Sequence, residues 1–241
     1  MYIDNRLYMK PTSKLADIIY NNPSLLYVLE YFNIDYMLQD KNVEEFCTEH
    51  NINIDLFVAI SNIYNGFSTD VTNNFTIDCI PFIINFLHNT HAYYQQEKYP
   101  EIRSLIDELY KVNPSAEIGI VEKFFDEYYD EVNEHLGYED KVVFPYVKAL
   151  YKKITTPSDN ETEVNFSAKQ YRQHHTDIEF KLDELKKILI KYIPVKQDKI
   201  IRRQLLLALC EVETNLNAHS IIEEHILMPL VDKIERQLQK Q

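Results

Sequence analysis

"HLGYEDKVVFP" occupies residues 135–145, and "HSIIEEHILMP" occupies residues 219–229. Each opens on His, sets Glu four positions on, and closes on Pro six positions after that Glu. At 3.6 residues per turn, side chains four apart share one helix face, separated by about 6 Å along the axis. His135 and Glu139 therefore point one way from their helix, and His219 and Glu223 do the same from theirs. A single His-x-x-x-Glu is commonplace on a solvated helix. Two copies that also agree at a distant proline preceded by apolar residues ("VVFP", "ILMP") form a pattern that asks for a shared role.

Working outward, apolar residues at three- and four-residue spacing predict long helices over about 78–98, 116–153, 167–192 and 196–239. The first continues briefly past Pro100, and "NPSAE" opens the second, with Ser115 as its cap. "TTPSDNETEVN" reads as a loop between the second and third. Before them, "SKLADIIYN", "PSLLYVLEYF", "NVEEFCTEH" and "IDLFVAISNIY" predict four short helices, with Pro23 suited to a helix opening. The polar stretch "NGFSTDVTNN" reads as a linker. The expected fold is all-α: a small helical domain over 1–68, a linker over 69–77, and an up-down-up-down four-helix bundle over 78–241.

The composition narrows the function. Glycine occurs three times in 241 residues, which excludes glycine-rich phosphate loops and disfavours glycine-turn hairpins. A formal charge of −13 disfavours a nucleic-acid partner, since basic patches supply most of that affinity. No secretion signal and no run of about 18 apolar residues is present, so the expected location is the cytoplasm, away from membranes. Cys47, Cys79 and Cys210 are widely spaced and odd in number, and read as reduced, partly buried thiols.

In a bundle with this connectivity the second and fourth helices run parallel, so their His/Glu pairs can meet in the core. The other two helices offer histidines as well. The third carries His174 and His175; Ile178 and Leu182 follow His175 at spacings of three and seven, which puts His175 on the buried face. The first carries His88 and His91, and periodicity alone does not choose between them. His50, His88, His174 and His225 read as surface or supporting residues.

Four imidazoles and two carboxylates suit two divalent transition ions, and favour iron, manganese or zinc. Two ions about 3.5–4 Å apart need bridging anions, for which Glu139 and Glu223 are placed. The ferritin-like arrangement needs Glu-x-x-His on two helices, and none of the eight histidines has Glu three residues earlier. Glu131, Glu134 and Asp177 are candidates to hold the second ring nitrogens, and Tyr93, Tyr94, Tyr128, Tyr129 and Tyr138 lie near the ligands in sequence. Pro145 and Pro229 should bend their helices at matching places just past the site. Gly137, inside the first phrase, is either a tolerated surface glycine or an opening toward the metals.

On these phrases, residues 78–238 resemble the hemerythrin-like (HHE) cation-binding domain, and the whole arrangement is similar to the di-iron proteins that repair iron centres. "LADIIYNNPSLLYVLEYFNIDYMLQDKNVEEFC" is similar to their N-terminal domain in spacing and in "IDY". The resemblance implies ligands at His91, His135, Glu139, His175, His219 and Glu223, and two iron ions with oxo and carboxylate bridges. It implies a role in nitrosative and oxidative stress: repair of iron–sulfur clusters through iron delivery or nitric oxide handling, with iron–sulfur proteins as clients and a homodimer as a further partner. A reversible oxygen or nitric oxide binder is the alternative, and a metal-free interaction protein a third. The chain departs from the family after "IDY", where Met37, Leu38, Gln39 and Asp40 stand in place of paired cysteines. The small domain is then left with packing, dimerisation or docking.

Overall fold

A computed structural model describes residues 6–67, 75–156 and 178–239. Their regular elements are helices, and among the described residues the only β pairing is one isolated bridge between Lys14 and Asn42. The helices are α1 (Leu15–Asn21), α2 (Leu25–Tyr31), α3 (Val43–Glu49), α4 (Ile54–Tyr64), α5 (Ile80–Tyr93), α6 (Tyr99–Val112), α7 (Ala116–Tyr138), α8 (Phe144–Thr155), α9 (Ile178–Lys191), α10 (Lys199–Ile222) and α11 (Met228–Leu238). The four N-terminal helices lie within the four predicted stretches, and Pro23 stands in the turn before α2 rather than inside it. Most of the predicted linker, the loop after α8, and the first turns of the predicted third helix lie outside the described residues.

By packing, the described residues form two compact units, and α5, α8 and α10 carry residues of both. The first holds residues up to Asn89, those from Tyr146 to 156, and those from Ala218 onward. Its N-terminal part is fastened by asparagines. Asn42 makes a capping box with Glu45, and Asn53 caps α4. Asn62 holds an extended segment: its Oδ1 accepts from the Met9 N–H at 2.8 Å, and its Nδ2 donates to the Met9 carbonyl at 3.0 Å. Asn65 Nδ2 donates to the Leu7 carbonyl at 2.6 Å. Gly66 follows at φ 77, a left-handed backbone conformation that favours glycine; a Cβ there would meet only the end of the Arg6 side chain, which can swing aside. Aromatic rings fill the centre of these helices. Phe86 of α5 packs against Tyr31, Phe32 and Tyr64, with centroids 5.4, 4.9 and 6.1 Å away.

The second unit holds 90–145 together with α9 and the first part of α10. Ser115 caps α7 by accepting from the Ile118 N–H, as its sequence position predicts. Tyr99, Phe125 and Tyr128 are buried together, with the Tyr99 and Tyr128 hydroxyls 3.0 Å apart. Arg202 of α10 closes the C-terminal end of α9: its Nη1 donates to the Leu189 and Ile193 carbonyls, both at 2.7 Å. Its Nε donates to buried Asp198 at 2.9 Å. Orphan carbonyls at a helix end are thereby satisfied by one guanidinium, which a carboxylate neutralises.

The three long helices that carry the motif prolines do not simply bend. Each contains a five-residue π turn: Tyr94–Lys98, Glu139–Val143 and Glu223–Leu227. A proline lacks an N–H, and its ring clashes with the carbonyl four residues back. Here the residue before each proline donates five residues back instead: Tyr99 to Tyr94, Phe144 to Glu139, and Met228 to Glu223. One extra residue wound into the turn gives the ring its room, so the expected kink takes the form of a widened turn.

Two outcomes follow from this packing. Arg202→Met strands buried Asp198 and two carbonyls, and should cost about 3–5 kcal/mol in denaturant unfolding. Although burial works against its charge, Asp198 is held below the usual carboxylate range by Arg202 and the Lys196 N–H. Its stabilisation is therefore whole above the unfolded value of about 3.9 and fades as pH falls below it, an acid dependence the variant should lack. Burial pushes the Cys47 thiol up to about 12, whereas Cys210 is exposed. A thiol reagent at neutral pH should label Cys210 at once and Cys47 only on unfolding, read by mass spectrometry of digests.

Candidate metal centre

In the second unit, α7 and the π turn that follows it put His135 and Glu139 on one face, as their spacing predicts. His135 Nε2 lies 3.2 Å from Glu139 Oε1. The other oxygen of the same carboxylate, Oε2, lies 3.2 Å from His91 Nε2. One carboxylate thus has an imidazole at each oxygen. Glu139 has no exposed surface, the His91 side chain 1 %, and that of His135 13 %. In the first unit, His219 Nε2 lies 3.3 Å from Glu223 Oε1, and both side chains are buried.

His91 is oriented from two further sides. Its Nδ1 lies 3.1 Å from Asp140 Oδ1, and the Phe144 ring stacks on it at 5.4 Å with the planes 22° apart. A carboxylate on the second ring nitrogen is the usual support of a metal-binding histidine. The sequence reading did not single out Asp140. Its signal was an acidic residue directly after the glutamate in both phrases, Asp140 in the first and Glu224 in the second. Of the carboxylates it did name, Glu131 is exposed and pairs with Lys181, Glu134 is exposed, and Asp177 lies outside the described residues.

His88 is exposed while His91 is buried, so the burial of α5 separates the two histidines that periodicity left open. His50 and His225 are exposed. His174 and His175 lie outside the described residues. Gly137 has no close neighbour that would bar a side chain: a Cβ there would meet only Lys141 Nζ, at 4.0 Å. It lines a groove of about 570 Å³ along α7, together with Asp130, Glu134, Tyr138 and Lys141 among others.

The donor set can be tested against a metal. If the neutral His91 ring donates its Nδ1–H to Asp140, its Nε2 presents a lone pair to an oxygen of Glu139 at 3.2 Å. Two electron-rich atoms at that distance repel unless a proton or a cation lies between them. Ligands about 2.1 Å from one ion and at right angles to each other stand about 3.0 Å apart, close to the three His–Glu separations seen here. The residues fit a metal: within the second unit, buried His91 and Glu139 face each other with His135 beside them, and in the first unit His219 faces Glu223 in the same way.

Comparison of the chain with protein-family models, with curated proteins and with solved structures finds no match in any of the three. The site is therefore judged on its own chemistry.

Removing the support of His91 gives a direct check. Asp140→Asn should weaken metal binding about 10- to 100-fold in a competition titration against a chelator, with the helical circular dichroism unchanged. Glu224→Gln, at an exposed position, should leave the affinity as it was.

Proposed function

We propose that the chain is a hemerythrin-like di-iron protein of nitrosative and oxidative stress defence, in which His91, His135, Glu139, His175, His219 and Glu223 hold two iron ions. The observation that carries this reading is Glu139, one buried carboxylate with a separate imidazole nitrogen facing each of its oxygens. A carboxylate that served a single ion would need only one such neighbour. A carboxylate shared by two ions has its oxygens on different metals, each with its own histidine. The repeat of the His/Glu pair at 219 and 223 supports a second shared carboxylate. The up-down-up-down arrangement of the four long helices belongs to the same proposal, and His175 completes a set of two histidines for each ion.

Held by these histidines and glutamates, two iron ions would supply redox chemistry toward a diatomic such as nitric oxide or dioxygen. The chain supplies the rest. Asp140 fixes the tautomer of His91 by accepting from Nδ1, and Phe144 fixes the plane of its ring. Burial of Glu139 and Glu223 keeps water from competing for their oxygens. The exposure of His88 supports a four-histidine set, which leaves more room for an exogenous ligand than a five-histidine carrier site. This favours a reactive centre, with iron–sulfur cluster repair through iron delivery or nitric oxide handling, over reversible carriage. Without paired cysteines, the N-terminal helices are left to dock a client protein or a second copy of the chain.

Protein loaded anaerobically with ferrous iron and desalted should retain about two irons per chain by elemental analysis. His135→Ala and His219→Ala should each lose at least one of them. Exposure of the reduced protein to nitric oxide or dioxygen should consume the gas; a stable adduct that releases the gas on evacuation would favour carriage instead. Wild-type protein that retains no iron would overturn the reading.

A further inference from the structure

Pro100 follows its π turn just as Pro145 and Pro229 follow theirs, so the first long helix carries a third version of the repeated phrase. Six residues before the three prolines stand Tyr94, Glu139 and Glu223. Ten residues before them stand Thr90, His135 and His219. In sequence only the proline is common to all three, which hides the match. The backbone reveals it, because Tyr94, Glu139 and Glu223 each open their π turn and each accept the same five-back hydrogen bond.

Tyr94 shares more with the glutamates than register. It has no exposed surface, and its hydroxyl oxygen is buried with the ring. It lies three residues past His91, on the buried stripe of α5 that also holds Leu87 and Thr90. The turn it opens is anchored on both sides. Lys98, at the turn's end, pairs with Glu211 at 2.6 Å, and the Tyr93 hydroxyl donates to the same carboxylate at 3.2 Å. The Tyr94 ring packs edge-on against Tyr99, whose hydroxyl is bonded to Tyr128. With Tyr93 and Lys98 tied to α10, the rotation of the turn is set and Tyr94 is held inward.

We propose that the phenolic oxygen of Tyr94 is a ligand of the metal centre, standing in the first long helix where Glu139 stands in the second. This rests on the di-iron reading above. On binding, the O–H bond breaks heterolytically. The proton leaves to water, and the oxygen keeps the electron pair it shares with the ion, so the site loses one unit of positive charge and no electron moves. A phenolate is a hard donor and favours the ferric over the ferrous state. Bound to one ion, where each glutamate can give an oxygen to both, it would leave the two irons inequivalent.

The test uses full-length protein loaded with ferrous iron and then oxidised in air, with iron content and visible and resonance Raman spectra recorded together. Wild type should show a phenolate-to-iron(III) charge-transfer band with enhanced tyrosine ring modes. Tyr94→Phe should retain about two irons per chain and lose the band entirely. Tyr128→Phe, Tyr129→Phe and Tyr138→Phe should each keep it; with the Tyr93 hydroxyl already engaged by Glu211, these leave Tyr94 as the source of the band if Tyr94→Phe does not fold. Iron-replete wild type without the band, or a band that survives Tyr94→Phe, overturns the ligand assignment while leaving the di-iron reading intact. Wild type that binds no iron overturns both.

Discussion

Glu139 is a carboxylate with no exposed surface, set among helices whose interior is mainly aliphatic and aromatic. Taking such a charge out of water costs several kcal/mol even after the surroundings relax. Two imidazoles at 3.2 Å are the return, and Asp140, behind one of them, adds a second negative charge nearby. Two carboxylates facing two rings that are neutral in their ordinary metal-binding form leave the cluster short of positive charge. A cation between Glu139 and the rings would supply it, and would turn an expensive burial into a binding site. The other features of the site follow from this need: the rings must be held by their second nitrogens, and the carboxylate must be aimed by the backbone.

The aiming is done by the π turns. A π turn is rare in ordinary helices and concentrates at functional positions, because the extra residue costs hydrogen-bond geometry that some other contact must offset. Here the cause is written in the sequence as a proline six residues on, whose ring cannot pass the carbonyl four residues behind it. The residue that opens each turn has its carbonyl engaged by the five-back bond and its side chain buried. Proline, wide turn and inward side chain form one device, and the repeated phrase is its sequence record.

Much of this could be read before any coordinates. The pairing of His135 with Glu139 and of His219 with Glu223 follows from helical spacing alone, and the helical class follows from periodicity and the scarcity of glycine. Other features were not legible, for identifiable reasons. The choice between His88 and His91 depends on which side of α5 packs inward. Phe82, Ile84, Phe86 and Leu87 sit on so much of its circumference that no apolar stripe stands out. Asp140 was hidden because its role depends on a ring arriving from another helix, which no local pattern records. The π turns were read as kinks, since a proline announces a lost hydrogen bond but not where the chain will make up for it. The third phrase was invisible because its ligand-type positions hold Thr90 and Tyr94 rather than His and Glu.

That third phrase separates two properties the first two leave joined. In the helices of Glu139 and Glu223, the geometry of the turn and the chemistry of the carboxylate occur together, and either could be taken as the reason for the other. In the π turn that follows α5 the geometry, the proline and the burial persist, with a phenol in place of the carboxylate. The backbone device therefore does not depend on the residue it presents. What it fixes is a position, fully buried and at the opening of a widened turn, and the side chain placed there decides the donor. A chain built from such repeats can exchange a two-oxygen donor for a one-oxygen donor by substitution at a single position, without rebuilding the helix. With Tyr94 as a ligand, as proposed, the symmetry of the backbone would be kept while that of the site is broken, and two ions held there could play different parts.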